Sequence, residues 1–485
     1  MSSIIMKKVG IDSLSFYVPS LYVDIEELAL ERNISADKLV YGLGLKKMST
    51  PDFDEDSASI AANSILKLIT ENNINPTEIG RVYLGTESGV DASKPTSSYV
   101  IEILEEILKD SYGDRCFKNC DIVDLTFACA GAVDALQNCC DWVRNGEGRK
   151  AIVIASDIAK YELNSSGEYT QGAGSVSMLV CENPSIISFN GLWGVSTKGI
   201  GDFFKPRRQF KKSEILIEAA RLFDKEISQK EAESLLEEAE SKFWSDTNDI
   251  LEIYKEEPVF EGQFSNQSYK ERVFEAFEDF NNQNDRNILN EWEKIIFHLP
   301  YAFHGRRMII DKWISWMEKN GRSEIIFSEA GKPESKLDKD WIKKVSKSDT
   351  YKNFINEKIA PGEKASSEIG NMYTASIFMS LISSLVESLS SNKEFINKKI
   401  GFISYGSGSK AKIFEGTIQD NWESKIKQLK LFEILDSRKK ITISEYENLH
   451  RRKVSSNINN NKGVIKLVEI NNGEFTEGLR SYLKY

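Results

Sequence analysis

Cys129 stands in Leu125-Thr-Phe-Ala-Cys-Ala-Gly-Ala-Val-Asp-Ala, directly after a short apolar strand and at the head of a small-residue segment suited to a tightly packed helix. A thiol in the first turn of a helix faces unpaired N–H groups and the positive end of the dipole, which favours the thiolate that attacks an acyl carbonyl. The same surroundings also suit a small buried hydrophobe. Glu87, in Leu84-Gly-Thr-Glu-Ser-Gly, follows a strand and a glycine, the position where open α/β sheets gather ligand-handling residues. It reads either as a general base or as an ordinary loop glutamate. The chain has 3 histidines, so every imidazole mechanism can be enumerated. His298 follows the apolar Ile295-Ile-Phe at a strand end, His304 lies in a turn before Gly305-Arg306-Arg307, and His450 lies in the charged C-terminal region. His298 is the best placed of them, with a satisfied core histidine as the alternative reading.

Two further signals involve backbone. Gly406-Ser407-Gly408 follows the strand Phe402-Ile-Ser-Tyr, and such a turn can aim N–H groups at an acyl oxygen. Gly370-Asn371 opens a second small-residue helix, where an asparagine is a helix cap or a ligand hydrogen-bonder.

The elements that must position these groups have α/β texture. Val9 to Phe16, Arg81 to Gly85, Ile122 to Leu125 and Lys150 to Ser156 read as strands. From Asp56 a helix places residues 58, 61, 62, 65, 66 and 69 on one face. Strands apolar on both faces, alternating with helices, imply a parallel or mixed sheet covered on both sides. From roughly Pro206 to Glu291 the sequence turns long, charged and helix-favouring, which reads as solvated helix faces. The α/β texture then returns with Ile295 to Leu299, Ala375 to Leu389 and Lys399 to Tyr405. Each half holds a small-residue helix followed by an apolar strand and a glycine-rich connection.

Bulk properties narrow the function classes. A length of 485 residues fits two domains or one duplicated domain. The formal charge of −11 opposes binding to a phosphate backbone, so no nucleic-acid partner is expected. The longest apolar run, Ile377 to Val386, is short and broken by serines, so no membrane partner is expected either. Met1 to Lys8 lacks the layout of a signal peptide, giving an expected cytoplasmic address. The 6 cysteines show no disulfide framework, and Cys116, Cys120 and Cys139-Cys140 have no nearby histidine, so no metal is expected.

In order along the chain, Thr86-Glu87-Ser88, Ala128-Cys129, Ile158-Ala-Lys-Tyr161-Glu-Leu-Asn164-Ser, Thr170-Gln-Gly172-Ala-Gly174, Phe203-Phe-Lys-Pro206, Phe297-His298-Leu-Pro-Tyr, Gly370-Asn371-Met-Tyr373-Thr and Ser404-Tyr-Gly-Ser407-Gly408 resemble the motif series of 3-hydroxy-3-methylglutaryl-CoA synthases. The resemblance spans Val9 to about Ile413. It implies a thiolase-like α-β-α-β-α fold built from two similar halves, with residues 1–205 as the first, 206–291 as a charged helical insertion, and 292–485 as the second. It implies condensation of acetyl-CoA with acetoacetyl-CoA, an early step of the mevalonate route, by a homodimer needing no cofactor beyond its CoA thioester substrates. By likeness Cys129 is the acyl-accepting nucleophile, Glu87 the general base and acid, and His298 the group that polarises the acetoacetyl carbonyl. Tyr161, Asn164, Thr170, Gly172, Pro206, Asn371, Tyr373 and Ser407 match substrate-binding positions, with N–H groups of Cys129 and Ser407 as the oxyanion hole.

The chain also departs from that pattern. Phe303 and His304 replace a usual Lys-Met, Arg306-Arg307 follow, and Ala130 and Ala132 stand where Tyr and Thr are common. These changes alter the groups available to CoA phosphates and reshape the pocket. Two rival functions come with them. One is the same addition on a β-keto chain bound to an acyl carrier protein, docked through Lys205, Arg207 and Arg208. The other is a non-catalytic scaffold of the same fold, against which the joint presence of Glu87, Cys129, His298 and Asn371 argues.

Overall fold

Lys150–Ala159 carries an unbroken apolar run that is buried on both faces, which makes it an interior strand. In the computed structural model, which describes residues 7–240, 243–244, 249–283, 288–335, 338–390 and 394–485, it belongs to a nine-stranded sheet. In chain order the strands are β1 Val9–Tyr17, β2 Ile79–Gly85, β3 Asp121–Leu125, β4 Lys150–Ala159, β5 Gly172–Glu182, β6 Ile187–Thr197, β7 Trp292–Phe297, β8 Lys399–Gly406 and β9 Lys410–Ile418. Their spatial order is β7-β8-β9-β6-β1-β5-β4-β2-β3.

The sheet contains one connectivity twice. β2 runs parallel to β4, and β4 is antiparallel to β5, which is antiparallel to β1. In the second half β7 runs parallel to β8, β8 is antiparallel to β9, and β9 is antiparallel to β6. The innermost strands, β1 and β6, pair antiparallel and join the halves.

Helices repeat in step with the strands. We label them α1 Ser57–Glu71, α2 Thr96–Tyr112, α3 Gly131–Arg144, α4 Gly262–Gln283, α5 Ala360–Ile369 and α6 Ser376–Ser388. α1 packs on β1 and β5, and α4 packs on their counterparts β6 and β9. The period-two alternation of each central strand then divides its side chains between layers. On β4, Ile152 and Ile154 face the α1 cluster, while Ala151, Val153 and Ala155 face the cluster built on α3 and α6. On β8, Ile403 and Tyr405 join Tyr269, Val273 and Phe277 of α4, while Ile400 and Phe402 join the α3 and α6 cluster. The result is the layered, thiolase-like arrangement expected, with α3 and α6 innermost. Each fully buried Leu or Ile on those two helices contributes roughly 1.5–3 kcal/mol.

Two boundaries differ from the sequence reading. The separate unit is 203–261, and the rest of the chain, 1–202 with 262–485, forms the main body. That smaller unit is not purely helical: Arg207–Lys211 pairs with Ile250–Tyr254, Phe203–Phe204 pairs with Val259–Phe260, and helices span Lys212–Arg221 and Gln229–Glu237. The expected insertion 206–291 therefore ends about thirty residues early. Its last part is α4, whose Tyr269, Val273, Ala276, Phe277 and Phe280 form a buried stripe at helical spacing within charged sequence. α1 differs in burial: it is enclosed on nearly every face. Asn63 exchanges two hydrogen bonds with the backbone of Ile465, which brings the C-terminal hairpin Ile465–Ile470 and Arg480–Lys484 over it.

Candidate active site

The parallel pair β2 and β3 delivers two chemical groups side by side. Beyond the strand ends, Thr86 N donates to Leu125 O and Thr126 Oγ1 donates to Thr86 O, so the two exits are cross-linked. Cys129 Sγ then lies 3.1 Å from Glu87 Oε1. The turn carrying Cys129 is strained: Ala128 has φ 40°, a left-handed conformation that a residue with a Cβ rarely adopts. α3 begins at Gly131 with Ala130 as its N-cap, so Cys129 sits just ahead of the helix rather than within its first turn. Close packing fixes that turn from the other half of the chain. A Cβ on Gly406 would fall 2.4 Å from Phe127 O and 2.9 Å from Ala130 N, so the Gly406-Ser407 backbone presses directly on the nucleophile turn.

Asp157, at the carboxyl end of β4, is fully buried and organises both halves. Its Oδ1 accepts from Thr86 Oγ1 and Glu87 N, both at 2.9 Å, and its Oδ2 accepts from Thr374 N at 3.0 Å. Thr374 Oγ1 in turn accepts from Ala132 N at 2.8 Å, so the start of α3 is held by the segment preceding α6. Sequence reasoning missed Asp157. Its signal was an acidic residue closing a continuous apolar strand, where an unpaired carboxylate would be costly.

Tyr161 and Tyr373 line the same space. Their rings lie 6.5 Å apart, and the Thr170 side chain lies beside the Tyr161 hydroxyl. Burial, followed by the charges of Cys129 and Glu87, pushes the Tyr161 hydroxyl up. Burial, Tyr161, Glu87 and Cys129 act in the same direction on Tyr373. Tyr373 has φ 42°, so the turn before α6 carries the same kind of strain as the turn before α3.

His298 follows β7, is buried, and has the backbone of Tyr373 as a ring partner. Tyr269 OH donates to its carbonyl at 3.1 Å. Desolvation pushes its pKa down to about 3, so the imidazole is neutral at physiological pH and suited to hydrogen bonding rather than to carrying charge.

The remaining expected residues divide. Thr170 reaches Tyr161, and its carbonyl accepts from Asn371 N at 2.9 Å. Gly172 has no room for a side chain: a Cβ there would lie 2.7 Å from Asn371 O. Asn371 Oδ1 accepts from Tyr373 N and Ser376 Oγ, a local cap. Ser407 bonds Tyr405 beside the Gly406 contact. Asn164 is exposed, with φ 64° and its N–H on Glu168, and is not brought to the Tyr161 and Tyr373 pair. Pro206 falls in the 203–261 unit. There Arg207, one of the basic residues considered for carrier docking, lies 3.6 Å from Glu252.

The departures acquire structural roles. Arg306 stacks 3.7 Å from the Phe303 ring centre and forks onto the buried carboxylate of Glu363. Arg307 donates to Gly42 O at 2.5 Å. Both cations therefore serve the fold. His304 is 2% exposed, edge-on to Tyr269 and Tyr301, and among the described residues neither of its ring nitrogens finds a partner, nor does His298 Nδ1. Desolvation, then His298 and Arg307, push His304 down to about 3. Because these two histidines bind protons more weakly folded than unfolded, their stabilising effect is complete above about pH 6.5 and is lost as pH falls toward 3. The slope is on the order of 1.4 kcal/mol per pH unit for each histidine. Buried Glu55, pushed up to about 7 by desolvation, acts oppositely, losing stability as pH rises from 4.5 through 7. Melting temperatures of the wild type and His304→Phe from pH 7.5 to 4.5 isolate the histidine effect. The variant is expected to lose less stability on acidification, and parallel curves would refute the assignment.

Chemically, the arrangement sets a thiol beside a carboxylate, with a neutral imidazole, two tyrosines and a glycine turn around them. Burial pushes the thiols of Cys116, Cys120, Cys139, Cys140 and Cys181 up, to about 12 for Cys120, Cys140 and Cys181, which makes them poor nucleophiles. Among the described residues no cluster of histidine, cysteine and carboxylate side chains has the form of a metal site.

Comparison with known proteins agrees with this geometry. The family model described as hydroxymethylglutaryl-coenzyme A synthase N terminal matches residues 5–185, and its C-terminal companion matches 250–473. A hydroxymethylglutaryl-CoA synthase of Haloferax volcanii is 27% identical over 459 residues, covering 92% of each chain. Another from Schizosaccharomyces pombe is 29% identical over 457 residues, covering 91% of this chain and 89% of its own. The solved structure of MvaS in complex with 3-hydroxy-3-methylglutaryl coenzyme A superposes with a TM-score of 0.75 at 26% identity, covering 99% of both chains.

Proposed function

The chain belongs to the hydroxymethylglutaryl-coenzyme A synthase family, and from that premise we propose that it condenses acetyl-CoA with acetoacetyl-CoA to 3-hydroxy-3-methylglutaryl-CoA through an acetyl group carried on Cys129. The observation that carries the reading is the 3.1 Å approach of Cys129 Sγ to Glu87 Oε1 inside a buried wall of tyrosines.

The Cys129 sulfur attacks the acetyl thioester carbonyl, and the CoA thiolate leaves with the thiol proton relayed by Glu87. The new thioester acidifies its methyl group. Glu87 takes one methyl proton, and the enolate carbon bonds to the ketone carbon of acetoacetyl-CoA. The ketone π pair moves onto oxygen, where the one N–H of the neutral His298 ring, shifting from the Tyr373 backbone to the substrate oxygen, favours the developing charge. That oxygen then takes a proton from the Glu87 carboxylic acid, restoring the carboxylate. Water cleaves the Cys129 thioester, releasing a free carboxylate at one end and regenerating the thiol. N–H groups of Cys129 and Ser407 serve as the oxyanion hole, a role supported by the packing of Gly406 on the nucleophile turn.

The same reading carries a homodimer, a cytoplasmic address and a place early in the mevalonate route. No described helix is long and apolar enough to cross a membrane. Purified protein mixed with both CoA thioesters is expected to form the hydroxymethylglutaryl product, followed by mass spectrometry. Turnover confined to a carrier-bound β-ketoacyl acceptor would overturn the choice of substrate in favour of the carrier reading.

A further inference from the structure

The loop between β4 and β5 carries Tyr161, and its shape is set by a helix nearly three hundred residues away in sequence. We label that helix, Ile443–His450, α7. His450 Nε2 lies 2.7 Å from Tyr161 O, so it donates to that carbonyl. The N–H of the same residue donates to Gln171 Oε1 at 2.6 Å, and Gln171 Nε2 donates to Tyr446 OH at 2.7 Å. Tyr446 OH donates to Glu168 Oε1 at 3.2 Å. Tyr446 and His450 are one helical turn apart, so one face of α7 reaches both polar groups of Tyr161, directly through His450 and through Gln171 from Tyr446.

The clamp is anchored and buried. Gln171, Glu168 and Tyr446 are all at most 5% exposed. Glu168 accepts two hydrogen bonds from Arg32, at 2.9 and 2.8 Å, and one from Asn164 N at 2.8 Å. Arg32 also pairs with Glu447 of α7 at 2.7 Å. A buried network with every member bonded permits one arrangement, because breaking any link leaves a desolvated polar group behind. The ring it orients is the one that lies 6.5 Å from the Tyr373 ring and feels the charges of Cys129 and Glu87.

We propose that Tyr446 and His450 are positioning residues for the acyl-transfer step: they fix the Tyr161 backbone, and so the ring that walls the acetyl site. The inference rests on the acetyl-Cys129 reading. A displaced ring loosens the fit of the acetyl thioester against the thiol, and loss of alignment slows a reaction more than it unfolds a protein.

The test measures acetylation of Cys129 by acetyl-CoA, using rapid quenching and intact-protein mass spectrometry, with melting temperature measured in parallel. His450→Ala removes the donor, His450→Gln retains an N–H that can reach the carbonyl, and Tyr446→Phe removes only a hydroxyl. His450→Ala and Tyr446→Phe are each expected to slow acetylation about tenfold, and His450→Gln to recover most of that loss. The double variant is expected to lose less than the product of the single losses, since both act through Tyr161. Two results would overturn the proposal: folded His450→Ala and Tyr446→Phe acetylating at the wild-type rate, or His450→Gln matching His450→Ala in rate. Absence of acetylation in the wild type would instead remove the parent reading.

Discussion

Cys129→Ser is expected to abolish the acetyl adduct that the wild type acquires from acetyl-CoA, and to lower condensation by roughly 10⁴-fold or more. Two features make the effect this large. First, the exchange of sulfur for oxygen replaces the stronger nucleophile with a hydroxyl, whose proton a carboxylate such as Glu87, at 3.1 Å in the native pair, is too weak a base to remove. Second, nothing else substitutes for it: burial pushes the other five thiols up. The change in volume is small, and the turn is held by contacts that the substitution leaves intact, Gly406 against Phe127 O and Ala132 N on Thr374 Oγ1. Melting temperature is therefore expected to shift little, by an amount equivalent to about 1 kcal/mol or less. Intact-protein mass spectrometry with the two chains side by side reads the result. A serine variant that still takes up one acetyl group would place the acceptor elsewhere.

The central strand β4, the cysteine after β3 and the glutamate after β2 were legible because each depends on local pattern: an apolar run, a small-residue helix start, a strand end beside glycine. What stayed hidden depends on tertiary partners. α4 reads as charged surface until Tyr269, Val273, Phe277 and Phe280 are seen against β6 and β9, because its burial is limited to one stripe in a polar sequence. That stripe decides the boundary of the insertion. The repeated connectivity of the halves survives in strand direction and order, which sequence spacing does not encode. The left-handed turns at Ala128 and Tyr373 carry no glycine to announce them; tertiary packing enforces them. Asn371 admitted two readings, cap and substrate contact, and its side-chain oxygen next to a helix start is taken by the nearest N–H and hydroxyl, so the cap is formed.

Glu87→Gln separates the two halves of the reaction. The amide has the shape of the carboxylate, and the backbone N–H at 87 still donates to Asp157 Oδ1, so the loop keeps its place. What the variant lacks is a base. The first half removes a proton from sulfur, far more acidic than a C–H group, so acetylation is expected to slow by about tenfold. The second half removes a proton from carbon, where no self-ionised form of the donor exists, and the loss expected there is roughly 10²–10⁴-fold, or about 3–5 kcal/mol in barrier. Acetyl-enzyme should therefore accumulate with acetyl-CoA and persist when acetoacetyl-CoA is added, whereas the wild type discharges it. Glu87→Gln condensing at the wild-type rate would mean that another group takes the methyl proton. Another carboxylate of the site, Asp157, has both oxygens occupied by Thr86, Glu87 N and Thr374 N and is fully buried, which leaves Glu87 as the base that the geometry supports.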